Sequence, residues 1–136
     1  MIDVVLDTNV VVSALINPGG TPGRVLQLAV SGAFRICVTR EVFAEYEEVL
    51  RRPKFRIDSD VAQAALDAIA STARWIAEAT PVRVCSDPDD DVFVSCALAA
   101  GALVIVTGNS SHFPGSHAGF QVLSPREFVG GFLSPA

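Results

Sequence analysis

The sequence predicts an α/β fold built on a parallel sheet with helices on both faces. Short β-branched apolar runs, such as VVL at residues 4–6 and LVIV at 103–106, suit strands buried on both sides. Segments of helical periodicity separate these runs, and the two types alternate along the chain. Turn formers stand at the joins, as in NPGG at 17–20, Ser31-Gly32 and Gly101. The chain has 136 residues, half of them apolar, which fits one domain over residues 1–136 with a proper core and argues against disorder.

The elements follow in order. The first strand, 4–6, ends at Asp7, and TNVVVSALI continues as a helix until Asn17-Pro18-Gly19-Gly20 breaks it. Thr21-Pro22 opens a second helix as N-cap and first-turn proline, with Val25, Leu28 and Ala29 at helical spacing. Residues 34–38 read as the second strand. Thr39 caps a helix that Pro53 stops, with Phe43, Tyr46, Val49 and Leu50 as its packed face. Residues 59–77 read as an alanine-rich helix packed through Val61, Ala65, Leu66, Ile69 and Ala73. A third strand is expected at 82–85, then a helix from Asp87-Pro88 to Gly101, a strand at 103–106 and a loop at 108–117. A last strand at 120–123 precedes a short helix capped by Ser124-Pro125.

Composition excludes several classes. The longest apolar tract, 92–106, is interrupted by Ser95 and Gly101 and falls short of the ~20 residues that span a bilayer. The N-terminus meets Asp3 without a basic stretch, so no signal peptide is read there and a cytoplasmic location is expected. Cys37, Cys85 and Cys96 are odd in number and sit in apolar sequence, as buried, reduced thiols do. The net charge of −5 argues against nonspecific electrostatic binding to nucleic acid. Arg51, Arg52, Lys54 and Arg56 nevertheless cluster in RRPKFR, either as contacts to a phosphate backbone or as a solubilising helix end.

The chemistry gathers at the strand ends, where parallel sheets bind ligands. Asp7 ends the first strand, and Thr107-Gly108-Asn109 ends another. DPDDD at 87–91 follows a third, and Glu45 borders the packed face of the helix after Thr39. Convergent carboxylates are the usual means of holding Mg²⁺ or Mn²⁺. Each residue also has an ordinary reading: Asp7 as a helix cap, Glu45 as a surface acid, and Asn109 as a left-handed turn residue. Four acids at one helix start exceed what the dipole favours, since they repel one another.

Alternatives fail on spacing. A calcium loop beginning at Asp87 needs glycine and glutamate where Val92 and Leu98 stand. GGTPG lacks phosphate-loop spacing, and His112 and His117 lie in a loop without a ligand cluster. A phosphoacceptor receiver needs a lysine near its last strand, and the only lysine is Lys54.

Five segments in order, VVLDTNVVVSAL, EVFAEYEEVLRRPKF, SDPDDDVFVSCALAAGA, VIVTGNSSHFP and VLSPREF, resemble the PIN-domain ribonucleases, specifically toxin components of bacterial toxin–antitoxin pairs. The resemblance covers nearly the whole chain. It implies a Rossmann-like three-layer α/β/α sandwich with a five-stranded parallel sheet, and a Mg²⁺- or Mn²⁺-dependent endoribonuclease. Asp7 and Glu45 match the family's first two acids. Counting back from Ala97, Leu98 and Gly101 places the third at Asp90, with Asp91 the neighbouring choice. Asp87 is then the helix cap and Asp89 faces solvent. The fourth position, often aspartate, is Asn109, which brings no charge. Asn9 and Thr107 take supporting roles. The implied partners are an RNA substrate, a cognate antitoxin and a second copy of the chain, paired through an apolar helix face between residues 22 and 77. A catalytically weak PIN domain that binds RNA or protein, and a PIN-type DNA or flap nuclease, are the competing readings.

Overall fold

A computed structural model describes residues 1–114, 116–117 and 119–133. The chain forms β1 (Asp3–Leu6), α1 (Thr8–Ile16), α2 (Thr21–Val30), β2 (Arg35–Val38), α3 (Arg40–Leu50), α4 (Ser59–Thr72) and β3 (Arg74–Trp75). It continues through α5 (Asp91–Ala100), β4 (Val104–Val106), β5 (Ser116–His117), β6 (Phe120–Leu123) and α6 (Pro125–Glu127), which runs into a π-helical turn at Phe128–Leu133. The sheet order is β3-β2-β1-β4-β6-β5. The first five strands of that order pair in parallel, and β5 adds an antiparallel edge to β6. The five-stranded parallel sheet expected from the sequence is therefore present, with a short ribbon at one side.

Val4, Val5 and Leu6 have no exposed surface, and neither do Val104, Ile105 and Val106. Both faces of the two central strands are thus covered, which is why these segments lack polar alternation. From β1 the chain winds outward to β2 and β3; from β4 it winds the other way to β6. The direction reverses between β1 and β4, and the carboxyl ends of these strands are the place where open sheets of this kind take a ligand, here called the β1–β4 crevice.

Local chemistry sets the helix ends. Thr39 Oγ1 accepts from Val42 N at 3.1 Å and starts α3. Ser124 and Glu127 form a reciprocal capping box at α6. Gly101 ends α5 at φ +65°, a conformation that glycine adopts without steric cost. Tyr46 is fully buried, and its hydroxyl donates to Leu6 O at 2.6 Å, tying α3 to the end of β1.

Three expectations need correction. Residues 82–85 form no strand; the third strand is Arg74–Trp75, and α4 ends at Thr72. Asp91 Oδ1 accepts from Val84 N at 3.0 Å and Cys85 N at 2.8 Å, so a carboxylate takes the donors that a ladder would have used. Arg74 is drawn to the sheet instead by Asp3 Oδ2 at 2.8 Å and Ala100 O at 3.0 Å. The packed face of α4 is Ala62, Leu66 and Ile69, with Val61 exposed, one position round from the expected stripe. Within the expected loop after β4, a 3-10 turn forms at Ser110–His112. No helix among the described residues is long and apolar enough to cross a membrane.

Replacing Tyr46 by Phe removes the bond to Leu6 while keeping the ring. The expected loss is about 1–2 kcal/mol of unfolding free energy in urea denaturation, because a buried carbonyl loses its donor. An unchanged midpoint would show that the hydroxyl does not hold α3 against β1.

Candidate functional site

At the β1–β4 crevice, Asp7 N donates to Val106 O at 2.9 Å, so the residue extends the ladder by one step before α1 begins. Its side chain makes no capping hydrogen bond to α1, which sets aside the cap reading. Thr107 Oγ1 donates to Asp7 Oδ2 at 2.7 Å and accepts from Asn109 N at 3.0 Å. Thr107 is wholly buried and Asp7 nearly so. Burial raises the Asp7 pKa, opposed by the Thr107 hydrogen bond.

The acidic stretch divides cleanly. Asp87 Oδ1 accepts from Asp89 N at 2.9 Å and starts a 3-10 turn, while Asp89 is exposed. Asp91 turns away from the crevice to the 82–85 segment, and those two backbone N–H groups hold its carboxyl below the usual range. Asp90 faces the other way. Its pKa is pushed up to about 6, first by burial and then by the neighbouring charges of Asp7 and Asp87. The two sides of this one-residue choice are therefore physically distinct: Asp91 has backbone partners, and Asp90 has repulsion.

Two buried side-chain polar atoms among the described residues have no hydrogen-bond partner, Thr8 Oγ1 and Asp90 Oδ2. Both belong to this region, where an unpaired buried oxygen is costly unless something else satisfies it. His112 Nδ1 stands 3.5 Å from Asp90 Oδ2, and its charge when protonated lowers the pKa of both Asp90 and Asp7. Sequence reading left His112 in a surface loop, and no spacing signal marks it; the 3-10 turn after Asn109 brings it in. The His117 side chain lies outside the described residues.

Glu45 is half-buried on α3, next to the anchored Tyr46, and its pKa is raised by burial and then by Glu48, with smaller contributions from Asp89 and Asp7. Asn9 Oδ1 accepts from Gly108 N at 3.2 Å and links α1 to the end of β4. Asn109 is exposed at φ −128°, so the left-handed turn reading does not hold. Among the described residues, no group of three or more His, Cys, Asp and Glu side chains is gathered tightly enough to hold a metal ion as placed. The charge of Asp7 acts on Asp90 and, among the smaller contributions, on Glu45, while Asn109 is exposed.

Of the basic cluster, Arg52 pairs with Glu48 at 2.7 Å, Arg51 donates to Gln63, and Lys54 lies over the Phe55 ring at 5.0 Å. Arg56 is the one non-glycine residue at positive φ among the described residues, at 52°.

A family model described as the PIN domain matches residues 3–111. The uncharacterized protein MJ1680 of Methanocaldococcus jannaschii is 30% identical over 140 residues, covering 94% of this chain and 90% of that protein. The fold is similar to a chain in the crystal structure of VapBC2 from Rickettsia felis bound to a DNA fragment from their promoter. That match has a TM-score of 0.56 at 20% identity and covers 89% of this chain and 97% of the other, a likeness of fold.

The two adjacent aspartates are expected to have opposite effects on stability. Asp90 binds its proton more tightly folded than unfolded, so its contribution falls as pH rises from about 4, the usual aspartate value, to about 6. Asp90→Asn is expected to stabilise the protein at pH 7–8 and to flatten that fall. Asp91→Ala is expected to destabilise it by about 1–3 kcal/mol, since two backbone donors lose their acceptor. Urea midpoints between pH 4 and 8 decide this; equal effects at the two positions would refute the division.

Proposed function

Because the chain belongs to the PIN-domain family, we propose that it is a Mg²⁺- or Mn²⁺-dependent endoribonuclease, the toxin of a toxin–antitoxin pair. The observation that carries the nuclease reading is the buried Asp90 Oδ2, which has no hydrogen bond and feels the charge of Asp7, with His112 Nδ1 3.5 Å away. Two carboxylates that repel one another in a buried place are stabilised by a divalent cation. Mg²⁺ commonly needs only one or two protein carboxylates, keeping water and substrate phosphate as its other ligands. Asp7 and Asp90 therefore suffice as the pair that would hold it, with Glu45 and Asn109 completing the rim.

A bound ion would supply charge stabilisation at the phosphate and a more acidic water. The chain's own residues do the rest. Thr107 fixes one oxygen of Asp7 by hydrogen bond, so the other is the one presented to a ligand. Asn9 holds the Gly108 backbone in place below Asn109. Tyr46 sets the height of Glu45 through Leu6. His112, next to Asp90, is placed to exchange a proton with a group arriving at that carboxylate. RNA as substrate, the antitoxin partner and pairing of two copies rest on the five-segment resemblance. The pairing reading is also supported by the exposed Val30, Val61 and Trp75 in the region of residues 22–77.

The neutral Asn109 and the charge of −5 favour a second reading, a PIN domain that binds RNA or protein with little cleavage. Purified protein incubated with RNA or single-stranded DNA in Mn²⁺, Mg²⁺ or EDTA separates the readings. The expected result is RNA cleavage abolished by EDTA and reduced at least about 100-fold by Asp7→Asn or Asp90→Asn. Asp91→Asn is expected to retain cleavage at temperatures where it is folded. Binding without cleavage in either metal would favour the second reading, and cleavage of DNA alone would point to a DNA or flap nuclease.

A further inference from the structure

Beside the carboxylates lies a groove of about 350 Å³ between α1 and the end of α3, lined in part by Asn9, Ile16, Glu45, Arg52 and Phe55. We propose that this groove is a nucleotide subsite of the same nuclease centre, taking the base and phosphate of the RNA residue next to the one being cleaved. This rests on the ribonuclease reading above and adds where the substrate is gripped.

Four observations favour this occupant. The groove shares Asn9 and Glu45 with the site, so the two are contiguous. Its volume is at the small end of the ~300–1,000 Å³ of ligand pockets, a fit for one base and not for a packed helix. Its wall carries an aromatic ring, Phe55, and an apolar side chain, Ile16, that is 55% exposed without a protein partner to cover it. Arg52 brings to the same wall one cation of RRPKFR, the one place in a sequence of net charge −5 where four cations stand within six residues.

The polar groups suit a nucleotide. Arg52 is held by Glu48 in an exposed i, i+4 pair at 2.7 Å, an interaction weak enough for the guanidinium to be redirected to a phosphate. The Asn9 oxygen is occupied by Gly108 N, so donation is what its amide has left to offer a base edge. The turn is a defined one: Pro53–Phe55 is a 3-10 helix, and Arg56 closes it at φ 52°, an uncommon conformation for a non-glycine residue. An aromatic ring with cations at hand is how single-stranded nucleic acid is gripped with tolerance of sequence, here once Arg52 exchanges Glu48, and Lys54 the Phe55 ring, for the nucleotide.

The test separates gripping from chemistry. Binding of a fluorescein-labelled single-stranded RNA is followed by anisotropy in EDTA with the full chain, and cleavage is measured in Mn²⁺. Phe55→Leu keeps an apolar side chain in place, Arg52→Gln removes only charge, and Arg126→Gln at the distant α6 is the control. We expect Phe55→Leu and Arg52→Gln each to weaken RNA binding about tenfold and to raise KM with kcat little changed. The Arg52 variant should also show a shallower salt dependence, and the control should not move; Phe55→Leu lowers the melting temperature modestly through its packing on the core, and melting curves check that both variants are folded at the assay temperature. Unchanged binding and KM in both variants, with cleavage intact, would overturn the subsite and leave the ribonuclease reading standing. Absence of RNA binding and cleavage in the parent protein would instead overturn the ribonuclease reading, and the subsite with it. If the two variants release a co-purifying protein while RNA binding is unaltered, the groove holds a protein segment and the proposal is wrong.

Discussion

Everything at the crevice depends on one buried carboxylate. Asp7 sits one residue past β1, hydrogen-bonded through its backbone to β4 and through its side chain to Thr107. The Thr107 hydroxyl, the Thr8 N–H and the His112 charge when protonated offset only part of the cost of burying this carboxyl, whose pKa is still raised. The fold accepts that cost because β1 and β4 are the central strands, where winding reverses and a crevice must exist. The surrounding core is apolar and close-packed, with Val4 to Leu6 and Val104 to Val106 fully buried, so the carboxylate cannot move away.

From this follows the division of labour in DPDDD. Asp87 begins the turn, Asp91 anchors the preceding extended segment, and Asp90 is left facing Asp7 with a pKa of about 6. A helix start needs one or two acids; the remaining one makes sense only in relation to the residue across the crevice. The PIN-domain match, over 3–111, spans both aspartates. The repulsion that makes the stretch odd as a cap is what a bound cation would relieve.

Much of this was legible in the sequence, and the misses have physical causes. Uninterrupted apolar runs identified the central strands because burial on both faces removes polar alternation. Thr39, Ser124 and Gly101 marked helix ends through local chemistry that needs no tertiary context. Residues 82–85 read as a strand because alternating valines look the same whether their N–H groups meet a neighbouring strand or a carboxylate; the acceptor, Asp91, lies outside the run and leaves no trace in its period. Arg74–Trp75 was invisible for the converse reason, since two residues carry no period and the pairing depends on Asp3. In the site, Asp7 was evident from its place at a strand end. The facing of Asp90 and Asp91 needed the observed turn, and the approach of His112 had no sequence signature at all.

The central claim is that Asp7 and Asp90 form a cation-binding pair, and metal-dependent stability tests it without any substrate. Thermal denaturation of the parent protein and of Asp90→Asn would be followed with increasing Mn²⁺ at pH 7.5. The account predicts a saturable rise in melting temperature for the parent, corresponding to about 2.7 kcal/mol at one hundred times Kd, and little or none for the variant. An equal rise in both proteins, or none in the parent, would contradict it.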